Sequence, residues 1–343
     1  MLSLDFLAGF TIFLLALIMV VSMVPGLLAG LQSSGIDYDA VAYRTGVILV
    51  EDPGWWEDRR PLPKSGRSWE LEDKDNIKRM GLAVSKDTPN ILLSTKVERF
   101  FKKLPSGEPF FTADDYRSKV IFGDIPYSYN ISLWSLDGTY KKSTGDPLPP
   151  GYGYIRRVVK IKEPSVAEIV GNTTSPSESP YWTSTPTMPT QAFTVHLNFS
   201  QLQSQATNKA HQIDPTAEPV NVTITNFGAY RNSTGGDAIL RHVGFQGTDP
   251  FDIPFRYETI DPDLYTLQIN GAPHNLTPGA QVTKNVSLVL KPAITSSFPP
   301  DRNNILNIRF TFENTNITGT HPYDYVNTTR PDLKTGVLEV AIW

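Results

Sequence analysis

The sequence contains no cysteine. Disulfide bonds, thiolate metal sites and cysteine nucleophiles are therefore excluded together. A chain without disulfides must hold its fold together by packing an apolar core, and a chain of 343 residues is long enough to bury one. The length suits one or two globular domains beside a single apolar helix.

Charged side chains are also scarce. Asp, Glu, Lys and Arg make up 19% of the residues, which is below the usual quarter, and the formal net charge is -4. Domains that bind nucleic acid usually carry a strong excess of positive charge. No nucleic acid partner is therefore predicted.

Catalytic and metal-binding motifs are missing from the sequence. No two of the five histidines have the H-x-x-x-H spacing of a zinc site. A G-x-S-x-G elbow and a P-loop are absent as well. We therefore predict that the chain is not an enzyme and has no catalytic, cofactor-binding or metal residues. Loop carboxylates such as Asp261 and Asp263 leave a calcium site open, because such sites need no linear motif.

One long segment lacks charge altogether. Residues 6–36 contain no Asp, Glu, Lys or Arg, and Asp5 stands at the head of this segment. Residues 6–24 are almost all large and apolar, and about 18 to 20 such residues form a helix that spans a hydrocarbon core of roughly 30 Å. A cleavable secretory signal is one interpretation, but it needs a basic N-terminal region and no Lys or Arg precedes Arg44. A plain membrane anchor is another, but it gives Asp5 no role.

A third interpretation pairs Asp5 with a partner. If Met1 were a mature N-terminus, its α-amine would be largely cationic at neutral pH and could pair with Asp5 of a neighbouring, staggered helix. Ser3, Asp5 and the apolar helix over residues 6–24 resemble the start of type IV pilin-like proteins, especially the archaeal ones. The resemblance extends to about residue 50, where the helical pattern ends near Pro53 and Gly54.

The resemblance implies a structural role. It implies that a prepilin peptidase processes the chain, that the helix holds it in the inner or cytoplasmic membrane, and that an assembly ATPase and a membrane platform protein move it into an extracellular homopolymer. Small residues would let helices approach closely, and Pro25 would kink or locally unwind the helix. The expected assembly residues are Met1, Ser3, Asp5, Phe6, Ala8, Gly9, Ala16, Ser22, Pro25 and Gly26.

Acceptor motifs for N-glycosylation are unusually frequent. Nine of eighteen asparagines stand in Asn-x-Ser/Thr, whereas the frequency of Ser and Thr would give about three by chance. Several lie on the polar side of an alternating strand pattern, which predicts exposure. N-linked glycans are therefore expected, and no other cofactor. The nine are Asn130, Asn172, Asn198, Asn221, Asn232, Asn275, Asn285, Asn316 and Asn327.

These patterns together predict an α+β fold. A long N-terminal hydrophobic α-helix over residues 1–52 would precede a mixed helical and loop region at 53–126, in which the segment NIKRMGLAVS is expected to be a short helix. A glycosylated, mainly antiparallel, β-sandwich-like domain would follow at 127–343, with a Ser/Thr/Pro-rich loop at 171–191.

Two functions follow from this organisation. The first is a structural subunit of an extracellular, type IV pilus-like helical filament with an N-glycosylated outer domain. The alternative is a monomeric, membrane-anchored surface glycoprotein, or a minor pilin or adhesin. Adhesion, motility and DNA uptake stay open as uses of a filament.

Overall fold

The computed structural model describes residues 4–31, 37–58, 65–123, 125–185, 190–232, 236–246, 256–257, 264–274 and 279–343. In the first helix it describes the side chains of Phe6 and of residues 8–22. The helices of this part of the chain are α1 Leu4–Leu31, α2 Tyr38–Glu51, α3 Ser94–Phe100, α4 Ala113–Tyr116, α5 Phe199–Ser204 and α6 Ile294–Ser297.

Strands form most of the regular structure in the described ranges, and they are arranged in four sheets. Their bounds are β1 Trp55–Glu57, β2 Ser65–Gly66, β3 Ile77–Arg79, β4 Ile91–Leu93, β5 Tyr129–Ser135, β6 Lys141–Gly145, β7 Gly153–Lys162, β8 Val166–Val170, β9 Thr190–Asn198, β10 Val220–Thr225, β11 Ile239–Gln246, β12 Arg256–Tyr257, β13 Tyr265–Ile269, β14 Ala272–Pro273, β15 Ala280–Gln281, β16 Val286–Leu290, β17 Ile305–Glu313, β18 Gly319–Tyr323 and β19 Leu333–Ile342.

The first lobe, which we call the helix-bearing lobe, is a five-stranded sheet with α2 on one face. The strand order is β4-β7-β19-β5-β6. Helix α2 begins where the Asp37 carboxylate accepts a hydrogen bond from the Ala40 amide, and it ends before Pro53, which cannot continue a helix. Its buried face, with Ala42, Leu49 and Val50, packs into the same core as the sheet.

The second lobe, which we call the sandwich lobe, consists of two packed sheets. One has the order β14-β13-β16-β10-β8 and the other β12-β11-β17-β9-β18, with β15 paired to β11. Alternate residues of β9, β10 and β17 are buried, as the period of two in their sequences predicts. Phe193, Leu288 and Phe310 belong to one core between the sheets.

The C-terminal strand belongs to the helix-bearing lobe. β19 lies between β5 and β7 and pairs antiparallel with both. Leu338 and Val340 are buried, as the doubly apolar sequence GVLEVAIW predicts. The core of the helix-bearing lobe therefore contains residues from both sides of the predicted boundary at 127, because the last strand joins the sheet to which β4 and β5 belong.

The structure corrects the predicted fold class. The α+β class with one long hydrophobic helix over residues 1–52 is wrong, because strands in four sheets form the largest part of the regular structure in the described chain and α2 is a separate element with its own N-cap at Asp37. The segment NIKRMGLAVS is not a helix either. Its first residues form β3, which pairs with the tryptophan-containing strand β1.

The expectation of a transmembrane helix is also wrong for the residues that the structure describes. None of the helices in that part of the chain combines the length and the apolar character that crossing a membrane requires. The described chain is a β-rich globular body, which differs from the pilin-like filament subunit with a transmembrane helix that the sequence suggested.

Candidate assembly surface

The first helix carries a continuous apolar surface that is open to solvent. Large apolar side chains are exposed without interruption over residues 12–15 and 17–21, and Ile12 is 68% exposed. Successive residues of a helix point about 100° apart, so four in a row cover every direction around its axis. The apolar surface therefore surrounds the helix and is not confined to one stripe.

Small residues interrupt this apolar surface. Ala8, Gly9, Ala16 and Ser22 are all exposed. A Cβ atom built on Gly9 would meet no atom within 4 Å, so the space beside it is open in the isolated chain. The Ser22 hydroxyl donates a 2.8 Å hydrogen bond to the Met19 carbonyl, which satisfies it within its own helix. Gly9 and the two alanines thus permit a close approach by another helix.

The remaining predicted assembly residues are only partly described. Phe6 is exposed and its ring stacks on Phe10 with a centroid separation of 6.4 Å. The backbone of α1 is helical at Asp5, Pro25 and Gly26, so local unwinding at Pro25 is not observed. Met1 and Ser3 lie outside the described residues.

The glycosylation motifs lie on the β-rich body. Asn327 is exposed, and Asn275 lies outside the described residues, as do Asp261 and Asp263. The other seven are half-buried, which places them at the surface with part of the side chain covered: Asn130, Asn172, Asn198, Asn221, Asn232, Asn285 and Asn316.

Two of these asparagines also hold local structure together. The Asn198 carboxamide oxygen accepts the Gln201 amide and so caps α5. The Asn172 carboxamide oxygen accepts hydrogen bonds from the amides of Thr174 and Ser175 and so closes a turn. In both cases the oxygen is engaged, while the amide nitrogen is the atom that a glycan would modify.

Buried ion pairs join the two lobes, a feature that the sequence does not reveal. Lys162 Nζ lies 2.6 Å from Glu218 Oε1, and the side chains are 2% and 1% exposed. Burial raises the pKa of the Glu218 carboxyl, and the positive charge of Lys162 opposes that effect. The Glu218 Oε2 atom has no hydrogen-bond partner among the described residues. Each of the two charges can therefore be buried only when the other is present to neutralise it.

A second ion pair crosses the same boundary. Lys291 Nζ donates to the Leu71 carbonyl at 2.9 Å and lies 3.6 Å from a Glu72 oxygen. Nearby, Lys96 is fully buried and donates to the carbonyls of Pro53 and Ala83. Burial lowers the pKa of Lys96, and Glu70 counteracts part of that shift. These contacts fix the lobes to one another.

The described residues form no cluster of the kind that binds a metal ion. They contain no group of three His, Asp or Glu side chains that could hold a metal ion. A small cavity of about 140 Å³ lies beside Lys162 and Glu218. Lys162 and Glu218, which line it, form the ion pair between the lobes. The expectation that the chain is not an enzyme stays a prediction.

Known proteins give one informative match. The chain is 30% identical over 152 residues to an uncharacterized protein of Archaeoglobus fulgidus, and the match covers 43% of this chain and 76% of that protein. The chain belongs to the same family as that protein. No family model and no solved structure matches the chain.

The Archaeoglobus fulgidus protein is itself uncharacterized, so its family assigns no activity to any residue. The features of this family member that bear on its function are its surfaces. Two of them stand out: the apolar circumference of α1 and the asparagine-rich exterior of the β lobes.

Proposed function

We propose that the chain is a structural subunit of an extracellular helical filament, and that the first helix of each copy lies among the first helices of other copies. The observation that supports this most strongly is the unbroken exposure of large apolar side chains around α1. Soluble monomers rarely expose contiguous apolar patches larger than a few hundred Å², so such a surface needs a cover.

The shape of the apolar surface favours several helical neighbours. A helix that is apolar on one stripe is covered by a single partner, whereas a helix that is apolar all round is buried inside a bundle. Consecutive exposed apolar residues over 17–21 leave no side of this part of α1 polar. Copies of the same chain supply identical helices, and head-to-tail contacts that do not close produce an open fibre.

Charge supports the same arrangement. Asp5 is the only charged side chain in residues 1–36. A carboxylate inside an apolar bundle is costly unless it is paired. A neighbouring copy that presents a positive group near Asp5 would remove this cost and fix the axial stagger between helices.

The β lobes form the exterior of such a fibre. All nine glycosylation motifs lie at or after Asn130, and none lies on α1 or α2. A glycan is bulky and strongly solvated, so it must stay outside a packed helical core. This distribution agrees with helices inside and glycosylated lobes outside.

The similarity of residues 1–50 to archaeal type IV pilin-like proteins stays a prediction, as do the peptidase, the assembly ATPase and the platform protein that it implies. The matched relative comes from an archaeon, which agrees with the archaeal character of the resemblance.

Electron microscopy of the purified protein and of the source cells tests the proposal. We expect filaments with wild-type protein and with Glu108→Ala, which removes an exposed carboxylate from a surface turn. Asp5→Ala should yield folded protein but few or no filaments. Dispersed monomers from the wild type would contradict the proposal and would favour a monomeric surface glycoprotein. Normal filament yield from Asp5→Ala would reject the pairing.

A further inference from the structure

Around Tyr154 and Val158, one face of the sheet of the helix-bearing lobe has no described element packed on it, whereas Lys162 at the end of the same strand is buried against the sandwich lobe. Helix α2 packs on the other face, where a Cβ atom on Gly46 would lie 3.0 Å from the Ile155 side chain. On the open face, Val158 is 69% exposed and Tyr154 is 43% exposed. Arg156 and Glu339 lie between these apolar side chains, so the face combines exposed apolar and charged groups.

The strand register places a glycosylation motif on that open face. Asn130 of β5 lies beside Ala341 of β19, and Ala341 lies beside Tyr154 of β7. On the other side, Asn130 pairs with Gly145 of β6. Both direct neighbours of Asn130 are small, so a sugar attached to its side chain has room between the strands' side chains.

The same strand places an aromatic ring, that of Trp134, on the same face of the sheet as Asn130. Ser132, with Ser143 and Glu339 beside it, occupies the next row, and Trp134 occupies the row after that. Residues four apart on a strand are separated by about 13 Å, a span that a chain of a few sugars covers. In the row between them the Ser132 hydroxyl donates a 3.4 Å hydrogen bond to Glu339, which also lies 3.6 Å from Arg156, so sugar hydroxyls would share these partners.

The surface beside Trp134 is concave. A groove of about 470 Å³ at the hairpin of β5 and β6 is lined by Ser132, Trp134, Lys141 and Ser143 of this face, and also by Leu133 and Lys142 of the opposite face. This volume lies within the range of small-molecule binding sites. The Arg156 guanidinium lies over the Trp134 ring, 5.3 Å from its centroid, and so occupies one face of the ring, which leaves the other face for a sugar.

We propose that an oligosaccharide attached to Asn130 lies back across this face and stacks on Trp134, and so acts as a structural cover of the helix-bearing lobe. The apolar C–H face of a sugar matches the face of an indole ring. Asn221 offers no such arrangement, because its sheet face presents Thr223, Ser287 and Val289. The proposal requires only that the chain is exported to glycosylation, as the proposed function implies.

The attachment step is a glycosyl transfer from a lipid-phosphate-linked oligosaccharide. The Asn130 nitrogen Nδ2 forms a bond to C1 of the first sugar, while the bond between C1 and the phosphate oxygen breaks. The lipid phosphate leaves with the bonding electrons, and one amide proton is lost to a base. The second amide hydrogen stays available for the existing 2.8 Å hydrogen bond to the Asp146 carbonyl.

Matched variants of the full-length protein, expressed in the source organism, test this assignment. Ser132→Ala removes the acceptor motif, whereas Ser132→Thr keeps it and suits a strand. Thr329→Ala removes the motif at the exposed Asn327 and serves as a distant control. Glycopeptide mass spectrometry measures occupancy, and hydroxyl-radical oxidation measures the exposure of Trp134 and Tyr154 in intact protein.

We expect Asn130 to be occupied in the wild type, and Trp134 to oxidise several-fold faster in Ser132→Ala than in Ser132→Thr. Thr329→Ala should match the wild type. Asn130→Gln keeps an amide donor and repeats the test if Ser132→Ala misfolds. A bare Asn130, or equal oxidation of the two Ser132 variants, would overturn the proposal. The two Ser132 variants are compared in the same state of assembly, so the oxidation experiment tests the glycan contact whether or not filaments form. The absence of filaments would reject only the filament function.

Discussion

Lys162 and Glu218 form a buried ion pair, 2.6 Å apart, at the contact between the helix-bearing lobe and the sandwich lobe. Lys162 Nζ also donates to the Gln212 carbonyl, and Glu218 accepts the Asp214 amide. The pair therefore links the end of β7 to the segment that precedes β10. The pair thus stabilises the contact between the helix-bearing lobe and the sandwich lobe.

Removing one member of this pair should destabilise the protein strongly. Lys162→Met leaves the Glu218 charge buried without its partner, and we expect a loss of about 3 to 5 kcal/mol in the free energy of unfolding. Chemical denaturation measures it. Lys142→Met, which breaks the exposed 2.9 Å pair with Glu98, should cost less than about 1 kcal/mol. Similar losses in the two variants would show that burial does not set the strength of the pair.

The docking of α2 depends on a glycine of the sheet. A Cβ atom on Gly153 would lie only 2.1 Å from the Tyr38 carbonyl carbon. Gly153→Ala should therefore push α2 off the sheet and cost about 1 to 3 kcal/mol or more in unfolding free energy. Gly228→Ala, whose added carbon meets nothing closer than 3.8 Å, is the matched control. Thermal unfolding measures the stability of both variants. Equal melting temperatures for Gly153→Ala and Gly228→Ala would contradict the close contact at Gly153.

The capping box at α4 should make stability depend on acid pH. Burial alone would raise the pKa of Asp115, but hydrogen bonds from Lys74, Lys119 and Thr112 outweigh it and hold that pKa well below its usual value. Its stabilising effect is therefore complete above the unfolded pKa near 3.9 and is lost as the pH falls towards the folded pKa.

Asp115→Asn tests this dependence directly. At neutral pH the variant should be less stable by about 0.5 to 2 kcal/mol, the usual cost of a lost helix cap. The difference from the wild type should shrink as the pH falls below about 4. Asp114→Asn, in the same turn but exposed, should show little difference at any pH. A constant gap for Asp115→Asn down to pH 2 would contradict the assignment.

Close approach between helices should fail when Gly9 is enlarged. No atom of the chain lies near the position of a Cβ on Gly9, so Gly9→Leu should leave the lobes folded. It should nevertheless reduce assembly, because the added side chain holds neighbouring helices apart. Ile12→Leu conserves volume and should assemble normally. Sedimentation and circular dichroism separate assembly from folding, and equal polymer yield from both variants would place Gly9 outside the contact.

Strands with strict alternation could be predicted from the sequence. Val195, Val222 and Ile308 all lie in strands where the period of two places them, and all three are buried. The end of α2 before Pro53 was equally readable, because proline cannot continue a helix. The residues that determine these features are close together in the chain, so a single sequence is enough to predict them.

Long-range pairing could not be predicted in the same way. Leu338 pairs with Leu133 across the sheet, and nothing near either residue in the sequence indicates this partner. The helical pattern around Ile77 was overridden because that segment pairs with Trp56. Lys96 and Lys162 suggest a solvated surface by residue type alone, yet both are buried, because their partners come from distant parts of the chain.

Cysteine cross-linking between copies tests most directly whether first helices lie against one another. The native chain has no cysteine, so a single introduced thiol can form a disulfide only with another molecule. We predict that Ile12→Cys, mildly oxidised in its assembled state, gives covalent dimers on a non-reducing gel, whereas Ser106→Cys in an exposed turn does not. If Ile12→Cys stays monomeric under these conditions, or cross-links no better than Ser106→Cys, the first helix is not the surface through which this protein assembles.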